Sequence, residues 1–560
     1  WKASDSLSVK LAGDYMKDSS DPRVPNRVGV DPATLGGIDF VISGANLFLG
    51  PGTGLVSTPN DQSLPVDIDT VSTEFVDGFD DFEIEATTRA MTVDWDMSDS
   101  WSLKSVTALR TVDDVIPYDF DGSEQQFITT KNERDREDFS QEFQFNYTGD
   151  TVNAVMGLYY LDGEAENPGI TFQYPRLRAI LTQVKDTYVD KRELTSYSAY
   201  ASVDWNFADS WQLSLGGRYT RDEKDETQRA TVDQGLFAYA GLQGFPPQAI
   251  VSVAPGQEAI AQQSPLFAFW ASSFVPPGFN SEFTEISFPE DTDASDEWNE
   301  FTPSARLTWF ATEDLMVYGG YSSGFKSGGF QRTGGVATSY DPETVDTYSL
   351  GVKSTMLGGS LRFNAEAFFN DYTDKQLATI ALQGGELAET VGNVGELETS
   401  GVEMELTWLP PVNGLMFGLN VGYLDTDIKE YKSGDDDIAD QTAIGFAPEW
   451  TAQGRVQWDI DVADYGYVTL GTDVSYRDES YTNSPIDLTS EFAPLQVQED
   501  HVIWNAMAAF TTSDERWRVA VEGKNLEDER VVTNTFVVGP FVTAGYNMPR
   551  TWAVSVGYQF

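Results

Sequence analysis

The chain contains no cysteine and a single histidine, His501, among its 560 residues, and only 35 Lys+Arg against 89 Asp+Glu. Each scarcity removes a class of protein. Without cysteine there is no disulfide scaffold, no thiolate nucleophile and no cysteine-based zinc site. One histidine cannot build a histidine-rich metal cage. A formal net charge of −54 argues against nucleic acid as a partner, because that binding needs a basic patch. Long apolar runs are also missing: no stretch of about 18 apolar residues is present, so no transmembrane helix is predicted. Neither an initiator methionine nor a signal-peptide pattern is seen. The opening Trp1-Lys2-Ala3-Ser4-Asp5-Ser6-Leu7 reads as strand, tight turn and strand, so Trp1 is not expected to be the biological start.

What the chain has in quantity is aromatic residues, 34 Phe, 24 Tyr and 14 Trp, or 13%. That content is wrong for an acidic disordered chain. The aromatics fall into a period-2 pattern that returns along the whole length. In 211–219, Trp211, Leu213, Leu215 and Tyr219 alternate with Gln212, Ser214 and Arg218. The same alternation runs through 361–367, 402–408 and 415–423. Short polar turns join such strands in pairs near 3–6, 97–100, 149–151, 208–210, 311–313, 357–359, 410–413, 461–464 and 512–515. Longer connections separate the pairs, at about 18–82, 114–136, 164–188, 223–297, 327–342, 373–395, 428–445, 478–498 and 526–547. Nine upward and nine downward strands give about 18, spread over 1–560 as one unit.

A soluble β-sandwich or propeller also alternates. Three features favour a transmembrane antiparallel β-barrel instead. Tryptophans gather at the short-turn ends (Trp95, Trp101, Trp205, Trp211, Trp309, Trp408, Trp458, Trp517), as an interfacial belt requires. Tyr219, Tyr321, Tyr372, Tyr423 and Tyr476 supply a candidate second belt at the long-loop ends. Strands of 10–14 residues match a tilted bilayer crossing. Lipid satisfies no backbone N–H or C=O, so only helices or closed sheets span it. The mean hydropathy of −0.33 agrees with this, since half of each strand faces a wet lumen.

The motifs then carry a resemblance. SAYASVDWNFADSWQLSLGGRYTRDEKD (198–225), LMVYGGYSSGFKSGGF (315–330), DPETVDTYSLGVKSTMLGGSLRFNAEAFFNDYTDKQ (341–376), NVGELETSGVEMELTW (393–408), GKNLEDER (523–530) and PRTWAVSVGYQF (549–560) stand in the order and spacing of a TonB-dependent outer-membrane receptor of the iron-complex type. Ser349 stands where that family usually has Glu. The resemblance implies a barrel of about 22 strands closed by an N-terminal plug. It therefore implies that four strands, the plug and the TonB-contacting segment lie outside this chain, which would be the C-terminal barrel portion. It also implies that the last strand, with Trp552, Val554, Val556, Tyr558 and Phe560 on one face, carries the barrel-assembly signal.

Chemistry is sparse. No P-loop or dinucleotide fingerprint appears, His501 has no evident nucleophilic partner, and abundant carboxylates make any one pair uninformative. No enzyme, cofactor or resident metal is expected. Aromatic residues Phe267, Phe269, Trp270, Phe274 and Phe279 are dense for a loop and read as ligand or plug contacts, as a local mini-core or as a lipid-facing collar. The acidic runs 77–85, 289–300 and 433–440 read as Ca²⁺ ligands, as a solvated surface suited to high salt, or as loops whose charge is met by the divalent cations of lipopolysaccharide. Arg218, Arg306, Arg362, Glu366, Glu403, Glu405, Glu522 and Lys524 are assigned to the lumen. The expected function is TonB-dependent import of a scarce small molecule, a ferric chelate above all, across the bacterial outer membrane. A passive porin-like channel, or uptake of a vitamin or oligosaccharide, are the alternatives.

Overall fold

The computed structural model describes residues 1–19, 26–30, 82–119, 129–173, 185–233, 292–333, 336–383, 386–433, 436–538 and 541–560. One antiparallel sheet forms the wall. It has 20 members, of which Lys2–Ser4 and Asp436–Asp437 are stubs; 18 long strands remain. They are β1 (Leu7–Asp18), β2 (Glu83–Asp96), β3 (Trp101–Asp119), β4 (Thr129–Thr148), β5 (Val152–Gln173), β6 (Lys185–Ala208), β7 (Trp211–Asp233), β8 (Thr292–Thr312) and β9 (Leu315–Lys326). The second half is β10 (Glu343–Met356), β11 (Leu361–Gln383), β12 (Glu386–Trp408), β13 (Leu415–Ser433), β14 (Trp450–Val462), β15 (Gly466–Arg477), β16 (His501–Thr512), β17 (Trp517–Lys524) and β18 (Thr551–Tyr558). Each pairs with its sequence neighbour, and all nine short turns fall where the alternation places them.

The lower aromatic belt is as read. Trp211 stacks on Trp309 at 5.9 Å, Trp408 on Phe417 at 5.5 Å, and Trp517 meets Tyr558 at 4.7 Å, all beside short turns. The upper belt is broader than expected. Phe139, Tyr160 and Tyr197 run together, Tyr321 meets Tyr348 at 5.4 Å, and Tyr423 meets Trp450 at 4.8 Å. Tyr372 drops out of it. Tyr348 pairs with Phe369, and Tyr372 lies an odd number of residues further along β11, so strand pleating turns it to the opposite face.

Strand length is the main correction. β6 has 24 residues, more than twice what a tilted crossing needs, so the strands continue well past the upper belt. Segments 114–136 and 164–188, read as loops, are largely strand. Cross-strand ion pairs hold these extensions. Arg134 donates twice to Asp114, each at 2.9 Å, Arg221 reaches Glu297 at 2.5 Å, and Lys191 joins Glu164 and Glu193. Exposed and screened by water, such pairs add little individually and set register more than stability.

Carboxylates outnumber the cations there. Asp113, Asp135 and Glu166 stand directly opposite one another on β3, β4 and β5. Loss of hydration, then repulsion from Asp113 and Glu166, raises the Asp135 carboxyl above its ordinary 3.8. A carboxyl that holds its proton more tightly when folded loses stability on ionising. The cost is present at neutral pH and disappears as pH falls through the raised value. Asp135→Asn is therefore expected to raise the melting temperature modestly at pH 7, with the gain gone near pH 3. Equal melting of both proteins at pH 7 refutes it.

Among the described residues no pairing joins β18 to β1 or to the Lys2–Ser4 stub, so the wall has two free edges. Above them a second sheet bridges the gap. Asn26–Val30, from the first long connection, pairs with Phe541–Tyr546 from the last, which pairs with Val532–Val538. Val542, Thr543 and Ala544 are almost fully buried there, and Thr535 hydrogen-bonds Thr482 of a neighbouring connection at 3.0 Å.

Candidate ligand-binding lumen

Pleating sends every second side chain inward, and those positions are polar. On β17, Val519 and Val521 are outward and exposed, which leaves Arg518, Glu522 and Lys524 on the lumen side. The same parity puts Arg218, Arg306, Arg362, Glu366, Glu403 and Glu405 inside, as the sequence suggested.

Two copies of one device organise this wall. Tyr318 of β9 lies across Gly351 of β10, and its hydroxyl donates to Glu366 of β11 at 2.5 Å. Tyr200 of β6 lies across Gly157 of β5 and donates to Glu142 of β4 at 2.6 Å. An arginine covers each ring: Arg306 at 4.9 Å from the Tyr318 centroid, Arg218 at 5.9 Å from that of Tyr200. Glycine is needed for close approach, since a Cβ at either position would fall 2.2 Å from the ring.

Beside Tyr318 the wall opens into a hollow of about 660 Å³. Two rows of directly paired residues line it. One runs Glu366, Glu403, Gly422, Thr451, Arg477, His501 across β11 to β16. The next runs Glu405, Asn420, Gln453, Ser475.

The rim is shaped by the SGFKSGGF motif. After β9 ends at Lys326, Gly329–Thr333 and Val336–Tyr340 form a hairpin outside the wall sheet. Phe330 packs on Trp298 of β8 at 5.7 Å. Lys224 of β7 donates to the Gly328 carbonyl and sits 5.3 Å from the Trp298 ring. Burial pushes its ammonium below the ordinary 10.5. Gln376, 4% exposed, donates to the carbonyls of Ser327 and Asp341, and Glu343 binds the Gln376 amide and Lys375. The hairpin root is thus fixed to β7, β8, β10 and β11. None of Trp298, Lys224 or Gln376 stood out in the sequence.

Other sequence candidates separate. Phe267, Phe269, Trp270, Phe274 and Phe279 lie outside the described residues. The face Trp552, Val554, Val556, Tyr558 and Phe560 is outward and exposed. Among the described residues no group of carboxylates and histidine has metal-binding geometry. Asp437 instead accepts the amides of Tyr431 and Ala439, each at 3.1 Å, and these bonds lower its carboxyl. Parts of all three acidic runs lie outside the described residues.

The family model described as TonB dependent receptor-like, beta-barrel matches residues 33–526. The chain belongs to this family. A TonB-dependent receptor barrel is a bacterial outer-membrane receptor wall, not an enzyme. Among curated relatives, the pesticin receptor of Yersinia pestis is 24% identical over 257 residues, 45% of this chain and 35% of that protein. The ferric-pyoverdine M114 receptor PbuA of Pseudomonas sp. is 25% identical over 288 residues, 50% of this chain and 32% of that protein. The matches thus span about a third of those relatives. Of solved structures, the siderophore receptor PiuA from Acinetobacter baumannii superposes with TM-score 0.65 at 13% identity, covering 99% of this chain and 72% of that one. The ferric yersiniabactin uptake receptor FyuA from Yersinia pestis gives 0.62 at 17% identity, covering 86% and 62%. At such identities the likeness is one of fold.

Proposed function

We propose that this receptor barrel is the wall of a TonB-dependent importer that carries a ferric chelate across the outer membrane. The observation that carries the reading is the hollow of about 660 Å³ on the inner wall, lined by charged and polar side chains such as Glu366, Glu403, Gln453 and Arg477. The relatives' names, receptors for ferric pyoverdine and ferric yersiniabactin among them, point to the same cargo class. The mechanism is binding followed by plug rearrangement, with TonB acting on a segment that precedes the barrel. The edges at the Lys2–Ser4 stub and at β18, unpaired among the described residues, are where four further strands would complete the wall, and lumen charges such as Arg362 and Glu403 would face the plug. Lipopolysaccharide and lipid surround the barrel. Phe267, Phe269, Trp270, Phe274 and Phe279 would meet the ligand at the mouth.

The test is uptake of radioactive iron, presented as several chelates, by cells whose only receptor is the intact protein. Uptake of at least one chelate that disappears without TonB is the expected result. Uptake that persists without TonB would make the protein a diffusion channel. In the same cells, Phe269→Ala with Trp270→Ala is expected to lower uptake, and unchanged uptake removes the loop aromatics from the site.

A further inference from the structure

The long row across the hollow changes sign along its length. Glu366 and Glu403 stand directly opposite each other at one end, and Arg477 and His501 do so at the other. Between them lie only Gly422 and Thr451. Three strand spacings separate Glu403 from Arg477, roughly 14 Å at about 4.8 Å each. The small pair makes the floor, and the two charged ends make its borders.

Several cations above the belts, Arg134, Lys191, Arg221 and Lys429 among them, are held by carboxylates. Arg477 has no carboxylate partner among the described residues. Its one hydrogen bond, from Nη2 to the Phe446 carbonyl, is 3.5 Å long. Its Nε is buried and has no partner. A guanidinium donor shut away from water and left unbonded costs stability unless something else accepts from it. The His501 Nδ1 is engaged elsewhere, 3.1 Å from the Glu499 carbonyl and 3.4 Å from the Gln498 amide. Ser475 and Gln453, both on the hollow, add a hydroxyl and an amide beside the guanidinium.

We propose that Arg477, flanked by His501, Ser475 and Gln453, is an anion subsite that receives an oxyanion group, a carboxylate above all, of the imported molecule. The inference rests on the importer reading and narrows its cargo to a chelate with free anionic oxygens. A guanidinium fork matches a carboxylate through two parallel N–H···O bonds, a geometry that an ammonium does not reproduce. The carboxylates Glu366, Glu403 and Glu405 at the far border repel the same group, so they orient it toward Arg477.

Calorimetry on the intact, detergent-solubilised receptor tests this with three probes: ferric citrate, metal-free citrate and ferrioxamine B, a cationic hydroxamate chelate. Arg477→Gln is expected to weaken binding of both citrate species at least tenfold and to leave ferrioxamine B unchanged. Arg477→Lys should fall between, and its heat-modifiable migration in gels establishes that a folded barrel was measured. Absent citrate binding by the wild type, or equal citrate affinity in Arg477→Gln, overturns the subsite. So does an equal loss for ferrioxamine B, which would place Arg477 in a contact that merely shapes the lumen. Failure of iron uptake with every chelate would instead sink the importer reading while the citrate result stands.

Discussion

Val554→Arg is expected to remove most of the folded protein from the outer membrane, while Ser555→Arg, one residue along, leaves it nearly intact. Val554 is 71% exposed on the outward face of β18, paired with Val521 and four residues above the belt residue Tyr558. An arginine near the bilayer midplane of a barrel costs about 2–4 kcal/mol, and a lumen substitution costs far less. β18 is especially vulnerable, because among the described residues β17 alone pairs with it. Ser555 pairs with Ala520, on the lumen-side parity. The readout is the fraction of heat-modifiable protein in isolated outer membranes. Equal loss from both variants would mean that the strand fails as a recognition signal rather than as a lipid-facing surface, and equal tolerance would refute the orientation of β18.

The wall was legible because two constraints act at once on every strand. Lipid demands apolar side chains outside, the lumen admits polar ones inside, and pleating forces the two to alternate. That is why 211–219 and 415–423 declare their faces from sequence alone. Above the membrane the first constraint lifts. On β4, Lys131, Glu133, Asp135 and Glu137 alternate with Asn132, Arg134, Arg136 and Asp138, so both faces are polar and no period-2 signal survives, although the ladder continues to Thr129. Tyr372 misled for a related reason: a Tyr at the right height looks like a belt residue until a register fixed by Tyr348 and Phe369 sets its parity. The hollow was the least legible part. Glu403 and Arg477 are 74 positions apart and share a row only through three successive registers. Arg477 follows Tyr476 in a strand whose sequence gives no sign that its guanidinium lacks a partner.

Gly351→Ala should produce the second large effect, about 2–4 kcal/mol of lost stability from a single methyl group. The new Cβ would lie 2.2 Å from Cζ of Tyr318, so the ring must leave. Leaving breaks the 2.5 Å bond to Glu366, of the class contributing about 1.5–3 kcal/mol, and the contact with Arg306, about 0.5–1 kcal/mol. Because the whole penalty runs through the ring, it should vanish when the ring is absent. In a Tyr318→Ala background, Gly351→Ala is expected to be nearly neutral, giving a coupling of the size of its own single-mutant cost. Gly157→Ala against Tyr200→Ala should behave alike, since Tyr200 spans Gly157 to reach Glu142. The two sites then diverge in function. Tyr318 borders the hollow and Tyr200 does not, so displacing Tyr318 changes the shape and charge of the space facing Glu366 and Glu403. Thermal melting should therefore report both glycine variants, whereas ligand binding should report Gly351→Ala far more strongly than Gly157→Ala. Additive costs in either double variant would show that the glycine serves the backbone rather than the ring.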